Sequence, residues 1–143
     1  MRIYLTLMTI VMVAIYACVI SSAQADIQLP SVISSGMVLQ REAKIPIWGW
    51  AAPGEKVKVT FAGQTVTGRA DKTGDWKVYL QPMKASFTPQ QMTVTGNNTI
   101  QLSDILVGDV WICGGQSNMQ FVTVACINGE QEATNANYPS IRL

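Results

Sequence analysis

The chain has 143 residues, 48% hydrophobic and only 13% charged, with ten Lys or Arg against nine Asp or Glu. A near-neutral chain without a basic run lacks the electrostatic footprint of a nucleic-acid binder, and it has no polybasic patch for an anionic membrane surface. With no histidine, three cysteines and scattered carboxylates, the sequence holds no metal-ligand constellation and no Gly-rich phosphate loop, so no cofactor is expected.

In chain order the first element is a leader. "MRIYLTLMTIVMVAIYACVISSAQA" has one positive charge at Arg2, a long apolar core, and small residues at Ala23 and Ala25. That is the pattern of a secretory signal cleaved after Ala25. The run from Ile3 to Ile20 also reaches the lower limit of a membrane anchor, and "IYAC" loosely suggests a lipoprotein site, with Tyr16 a poor fit. Export is the expectation, to the periplasm or outside the cell if the source is bacterial, with no membrane attachment after cleavage. Loss of Arg2 leaves nine basic and nine acidic residues.

From residue 26 to 103 an antiparallel β-sandwich is expected. "KIPIWGWA" (Lys44–Ala51) is rich in strand formers, and Ala52–Gly54 turns the chain. "EKVKVTFAG" alternates, with Val57, Val59 and Phe61 on one face and Lys56, Lys58 and Thr60 on the other. "QTVTGRAD" is its hairpin partner across Ala62-Gly63. "DKTGD" (Asp71–Asp75) is turn chemistry, and "DWKVYLQ" returns with Trp76, Val78 and Leu80 on one face. A looser connection containing Pro82 and Pro89 precedes another hairpin that turns at Gly96-Asn97-Asn98. Asn97-Asn98-Thr99 is also a sequon, relevant in a eukaryotic secretory pathway.

Residues 104–143 differ in character. Val110–Cys113 is a continuous apolar run suited to a strand covered on both faces. It stops at Gly114-Gly115, glycines that permit a sharp turn and close approach of a substrate. "NGEQEATNANYP" has helix-tolerant composition and ends at Pro139, and "SIRL" begins another strand. One strand, one helix and a strand start make an incomplete α/β domain. Cys113 and Cys126 leave two readings, a disulfide in an exported protein or, preferred here, Cys113 as a small apolar residue in a buried strand.

Ser117 follows the two glycines. A serine hydroxyl is a weak nucleophile until a base takes its proton, and backbone N–H groups at a strand-to-helix turn can bind an oxyanion. "GQSNM" is not the G-x-S-x-G elbow, because Met119 stands where the second glycine belongs. On the residues alone, a turn with a helix-capping serine is the commoner reading.

"WICGGQSNMQF" resembles the nucleophile block of the sialate O-acetylesterase family, a branch of the SGNH-type hydrolases. "LPSVISSGMVLQRE" (Leu29–Glu42), "IPIWGWAAPGEKVKVTFAGQ" and "NANYPSIRL" resemble other parts of the same proteins in the same order. The resemblance implies an exported esterase acting on O-acetylated sialic acid or another acetylated glycan, and an N-terminal fragment of it. Ser117 matches the nucleophile, and its backbone N–H would contribute to the oxyanion hole. Gly114 and Gly115 match the turn, and Gln116 and Asn118 flank the nucleophile. The catalytic His and its acid belong to blocks this chain does not carry; Asp104 and Asp109 are the nearest acids, in no triad motif. The fragment alone is expected to be inactive unless a separate chain completes it. The alternative is a non-catalytic β-sandwich that binds carbohydrate or supports another chain, with Trp48, Trp50 and Trp76 as stacking candidates, although tryptophans in a small sandwich are more often core.

Overall fold

The computed structural model describes residues 25–142. Except for Ala25, the expected signal segment lies outside the described residues. Among these, no helix is long and apolar enough to cross a membrane.

The fold is mostly β. Its strands are β1 (Val38–Gln40), β2 (Ile45–Trp50), β3 (Lys56–Phe61), β4 (Gln64–Arg69), β5 (Asp75–Leu80), β6 (Ser86–Thr95) and β7 (Thr99–Gly108). A five-stranded sheet has the order β1-β7-β6-β3-β4, and β2 and β5 form a two-stranded sheet. All pairs are antiparallel except β1 with β7. Alternation does what period-2 patterning requires. Val57, Val59 and Phe61 of β3 are buried, as are Trp76, Val78 and Leu80 of β5, and both sets join one apolar core with Ile47, Met92 and Val94.

Local chemistry explains the turns. Ala62 (φ 49°) and Gly63 (φ 75°) are both left-handed, the two-residue turn whose twist matches a β-hairpin. In "DKTGD", the Asp71 carboxylate accepts from Thr73 N–H at 2.8 Å and Asp75 N–H at 3.1 Å, and Gly74 takes φ 92°. At one end of the large sheet, Glu55 joins two turns by accepting from Ala52 N–H (3.0 Å) and Asn97 N–H (2.6 Å). Asn98 beside it holds the segment ahead of β1 by accepting from Ile27 N–H at 2.7 Å and donating to the Ile27 carbonyl at 3.3 Å.

Three expectations need correction here. Pro89 lies inside β6, not in a connection before it. It is tolerated because the β6–β7 register shifts between Ser86 and Gln90, and a proline that cannot donate to the ladder belongs at such an irregularity. A second shift follows: Gln90 pairs with Ile105 and Met92 with Leu102, so β7 carries one extra residue there. Ser103 and Asp104 are both exposed and Asp104 has φ 58°. The change in sequence character near Ser103 coincides with this bulge, and β7 runs on to Gly108 with Ile105, Leu106 and Val107 buried.

The second correction concerns Val110–Cys113. No strand forms there; Trp111 is 83% and Ile112 98% exposed. A strand buried on both faces needs neighbours on both sides, and among the described residues none flanks this run. Cys113 is therefore not a packed core residue, and it and Cys126 are free and exposed. After Gly108 come two short 3-10 turns, η1 (Ser117–Gln120) and η2 (Thr123–Ala125), and helix α1 (Gly129–Asn135). Glu130 and Glu132 in the first turn of α1 suit the positive end of its dipole, and the helix ends before Pro139 as expected. The third correction concerns "SIRL": Ser140–Arg142 form no strand, since no described strand pairs with them and Arg142 is instead tied by its side chain to Asp104.

Candidate functional site

The segment that carries Ser117 leaves the sheet at Gly108 and is tied back at both ends. At its start, Arg41 Nε donates to Asp109 Oδ1 at 2.9 Å, and Val110 N–H donates to Gln40 Oε1 at 2.9 Å. At its end, Arg142 grips the Asp104 carboxylate with two nitrogens, at 2.6 and 3.1 Å, and donates to the Gly36 carbonyl at 3.4 Å. The side-chain hydrogen bond from Arg142 holds the Asp104 carboxyl below its ordinary value of 3.8, and Arg41 does the same to Asp109. These two acids are occupied as structural anchors. Both are exposed, and neither contacts Ser117.

Between the anchors, a groove of about 1210 Å³ opens along β1 and the end of β7. Its lining includes Arg41, Asp109, Trp111, Cys113 and Arg142 but not Ser117. Ser117 heads η1 and is exposed, as are Gly114, Gly115, Gln116 and Asn118. Gln116 is the residue that caps η1, through its backbone: Met119 N–H donates to the Gln116 carbonyl at 2.9 Å. No side-chain cap is made, so the helix-capping role considered for Ser117 is not used. Neither Gly114 nor Gly115 has the left-handed φ that a sharp glycine turn would show. A Cβ on Gly114 would meet nothing within 4 Å, whereas one on Gly115 would press on the Met119 side chain.

The Ser117 hydroxyl has no hydrogen-bond partner among the described residues, and the sequence contains no histidine to provide one. Chemically, the arrangement presents an accessible but unactivated alcohol. Among the described residues no group of three or more His, Cys, Asp or Glu side chains is placed to hold a metal ion. The sugar-stacking candidates separate. Trp76 is 3% exposed and belongs to the core, while Trp48 and Trp50 lie on the outer face of β2, with ring centroids 5.8 Å apart in an edge-to-face pair. Sequence reasoning did not single out Tyr79, which shares that outer face on β5. Its position in the alternation of "DWKVYLQ", opposite in parity to Trp76, was the signal available.

Comparison with known proteins places this fold. The described fold is shared with a carbohydrate acetylesterase from Xanthomonas citri, with a TM-score of 0.75 and 39% sequence identity over 79% of this chain and 26% of that one. No family model matches the sequence. Among curated proteins, it is 37% identical to the sialate O-acetylesterase of Mus musculus over 93% of this chain and 27% of the relative. It is 39% identical to that of Homo sapiens over 85% of this chain and 26% of the relative. Over the stretch it spans, the chain is a sialate O-acetylesterase homologue, as its motifs imply. It spans about a quarter of the length of these relatives.

Proposed function

We propose that this chain is the nucleophile-bearing part of an exported carbohydrate acetylesterase, a β-sandwich leading into the first elements of an SGNH-type hydrolase domain. The observation that carries the reading is the 37–39% identity to sialate O-acetylesterases over most of the chain. In this reading Ser117 Oγ attacks the acetyl carbonyl of an O-acetylated sugar. A base takes the hydroxyl proton, the sugar alcohol leaves, and water then releases acetate from the acetyl-serine. The backbone N–H of Ser117 is one oxyanion donor. O-acetylated sialic acid is the first substrate to try, and related acetylated glycans the next.

The base is the missing part. With no histidine in these 143 residues and the nearest acids engaged by arginines, the chain alone is proposed to be inactive. Two measurements test this. The isolated chain should hydrolyse an aryl acetate no faster than buffer, and any turnover abolished by Ser117→Ala would overturn the claim of inactivity. Residues 26–142 grafted in place of the matching stretch of the Xanthomonas citri acetylesterase should give an active chimera. There Ser117→Ala should lower kcat by about a thousandfold or more, and an active chimera indifferent to that change would refute Ser117 as nucleophile.

A further inference from the structure

The two-stranded sheet has an outer face that the esterase reading leaves unused. By strand alternation Pro46, Trp48 and Trp50 on β2 share one face with Asp75, Lys77 and Tyr79 on β5; Trp48 is half-buried and also packs against the apolar core. Cross-strand register sets Trp50 opposite Asp75, Trp48 opposite Lys77 and Pro46 opposite Tyr79. Trp50 is 42% and Tyr79 51% exposed, so two large aromatic surfaces face water on one small sheet. On the same small sheet a groove of about 460 Å³ is lined by Trp48, Gly49, Asp71, Asp75, Trp76 and Lys77, with Trp50 and Tyr79 outside its lining.

The polar groups of this groove are preset acceptors. Thr73 Oγ1 lies 2.6 Å from both Asp71 Oδ1 and Asp75 Oδ2, and backbone N–H groups of the turn fix Asp71 further. Among the described residues, Asp71 Oδ2 and Asp75 Oδ1 have no protein donor. The hydrogen bonds from Thr73 also hold the Asp71 carboxyl below its ordinary value, so it is an ionised, acceptor-only group. Aromatic planes beside fixed carboxylate acceptors and one ammonium match a pyranose ring. Its C–H face stacks on indole or phenol, and adjacent hydroxyls donate to carboxylates. The two carboxylates disfavour an anionic sugar.

We infer that the outer face of β2 and β5, centred on Trp48, Trp50, Tyr79, Asp71 and Asp75, is a binding surface for a neutral glycan chain. It is independent of Ser117 and does not rest on the esterase reading.

The test is a titration of the full chain with xylohexaose and cellohexaose, followed by tryptophan fluorescence and by calorimetry, with sialyllactose as the anionic arm. Saturable binding of a neutral hexasaccharide is expected. Trp50→Ala and Tyr79→Ala should each weaken it about tenfold, the equivalent of one lost stacking contact, and the distant Trp111→Ala should leave it unchanged. The two weakening variants lie on different strands, and thermal melts identify either one that fails to fold. No binding of either hexasaccharide, binding of sialyllactose alone, or neutral-sugar binding that survives both folded variants would each overturn the assignment.

Discussion

At the residue scale, exposure separates chemistry from support. The Ser117 hydroxyl makes no hydrogen bond among the described residues, so Ser117→Ala should alter stability by no more than about 0.5 kcal/mol, measured by urea unfolding. Gly114→Ala should be equally silent, because a Cβ there meets nothing. Gly49→Ala should not be. Its Cβ would collide with the Gln28 carbonyl oxygen and approach the Trp76 ring, so a loss of about 1–3 kcal/mol is expected. Asp104 supplies a pH prediction. Arg142 depresses its folded pKa below the ordinary 3.8, so the stabilisation is complete above that ordinary value and lost as pH falls through the lowered one. Carboxyl NMR should show Asp104 titrating late on acidification, and Arg142→Gln should return it towards 3.8.

At the element scale, the alternating strands were legible in the sequence because each has one dry and one wet face. Lys-Val-Lys-Val-Thr-Phe announces β3, and Asp-Trp-Lys-Val-Tyr-Leu announces β5 with Tyr79 on its wet side. Two features were not legible. Pro89 reads as a loop residue in isolation, and only the register shift between β6 and β7 makes a strand that contains it acceptable. The run Val110–Cys113 reads as a buried strand, but apolarity says only that cover would be favourable. Which residues supply cover is a tertiary question, and among the described ones none does. Core truncation tests the strand assignments. Phe61→Ala, at a residue 1% exposed, should cost about 3–5 kcal/mol, a large part of the 5–15 kcal/mol that typically holds a domain.

At the scale of the whole molecule, the chain divides by burial. Among the described residues, one core draws its members from Ile27 to Val107, whereas Val110, Trp111, Ile112, Phe121, Val122 and Ile127 are exposed apolar groups. Contiguous exposed apolar surface favours association, and backbone outside a sheet ladder opens readily. Limited proteolysis should therefore cut first between residues 109 and 127 and spare the fold up to Gly108. Cleavage within β3 or β6 at the same rate would contradict the division.

The sequence by itself determined the alternating strands β3, β4 and β5 with the inward faces of β3 and β5, the hairpin turns, and the motifs that mark a sialate O-acetylesterase homologue. These depend on period-2 patterning, on residues suited to left-handed φ, and on short contiguous blocks. Tertiary structure alone decided that β2 and β5 form a separate sheet, and that Trp50 of β2 comes to lie on the same face as Tyr79 of β5. It also decided that Asp104 and Asp109 serve arginines, and that Ser117 stands exposed with no hydrogen-bond partner among the described residues. The physical reason is common to all four. Burial, pairing and proton affinity are properties of neighbours brought together from distant parts of the chain, and no local pattern specifies who those neighbours are.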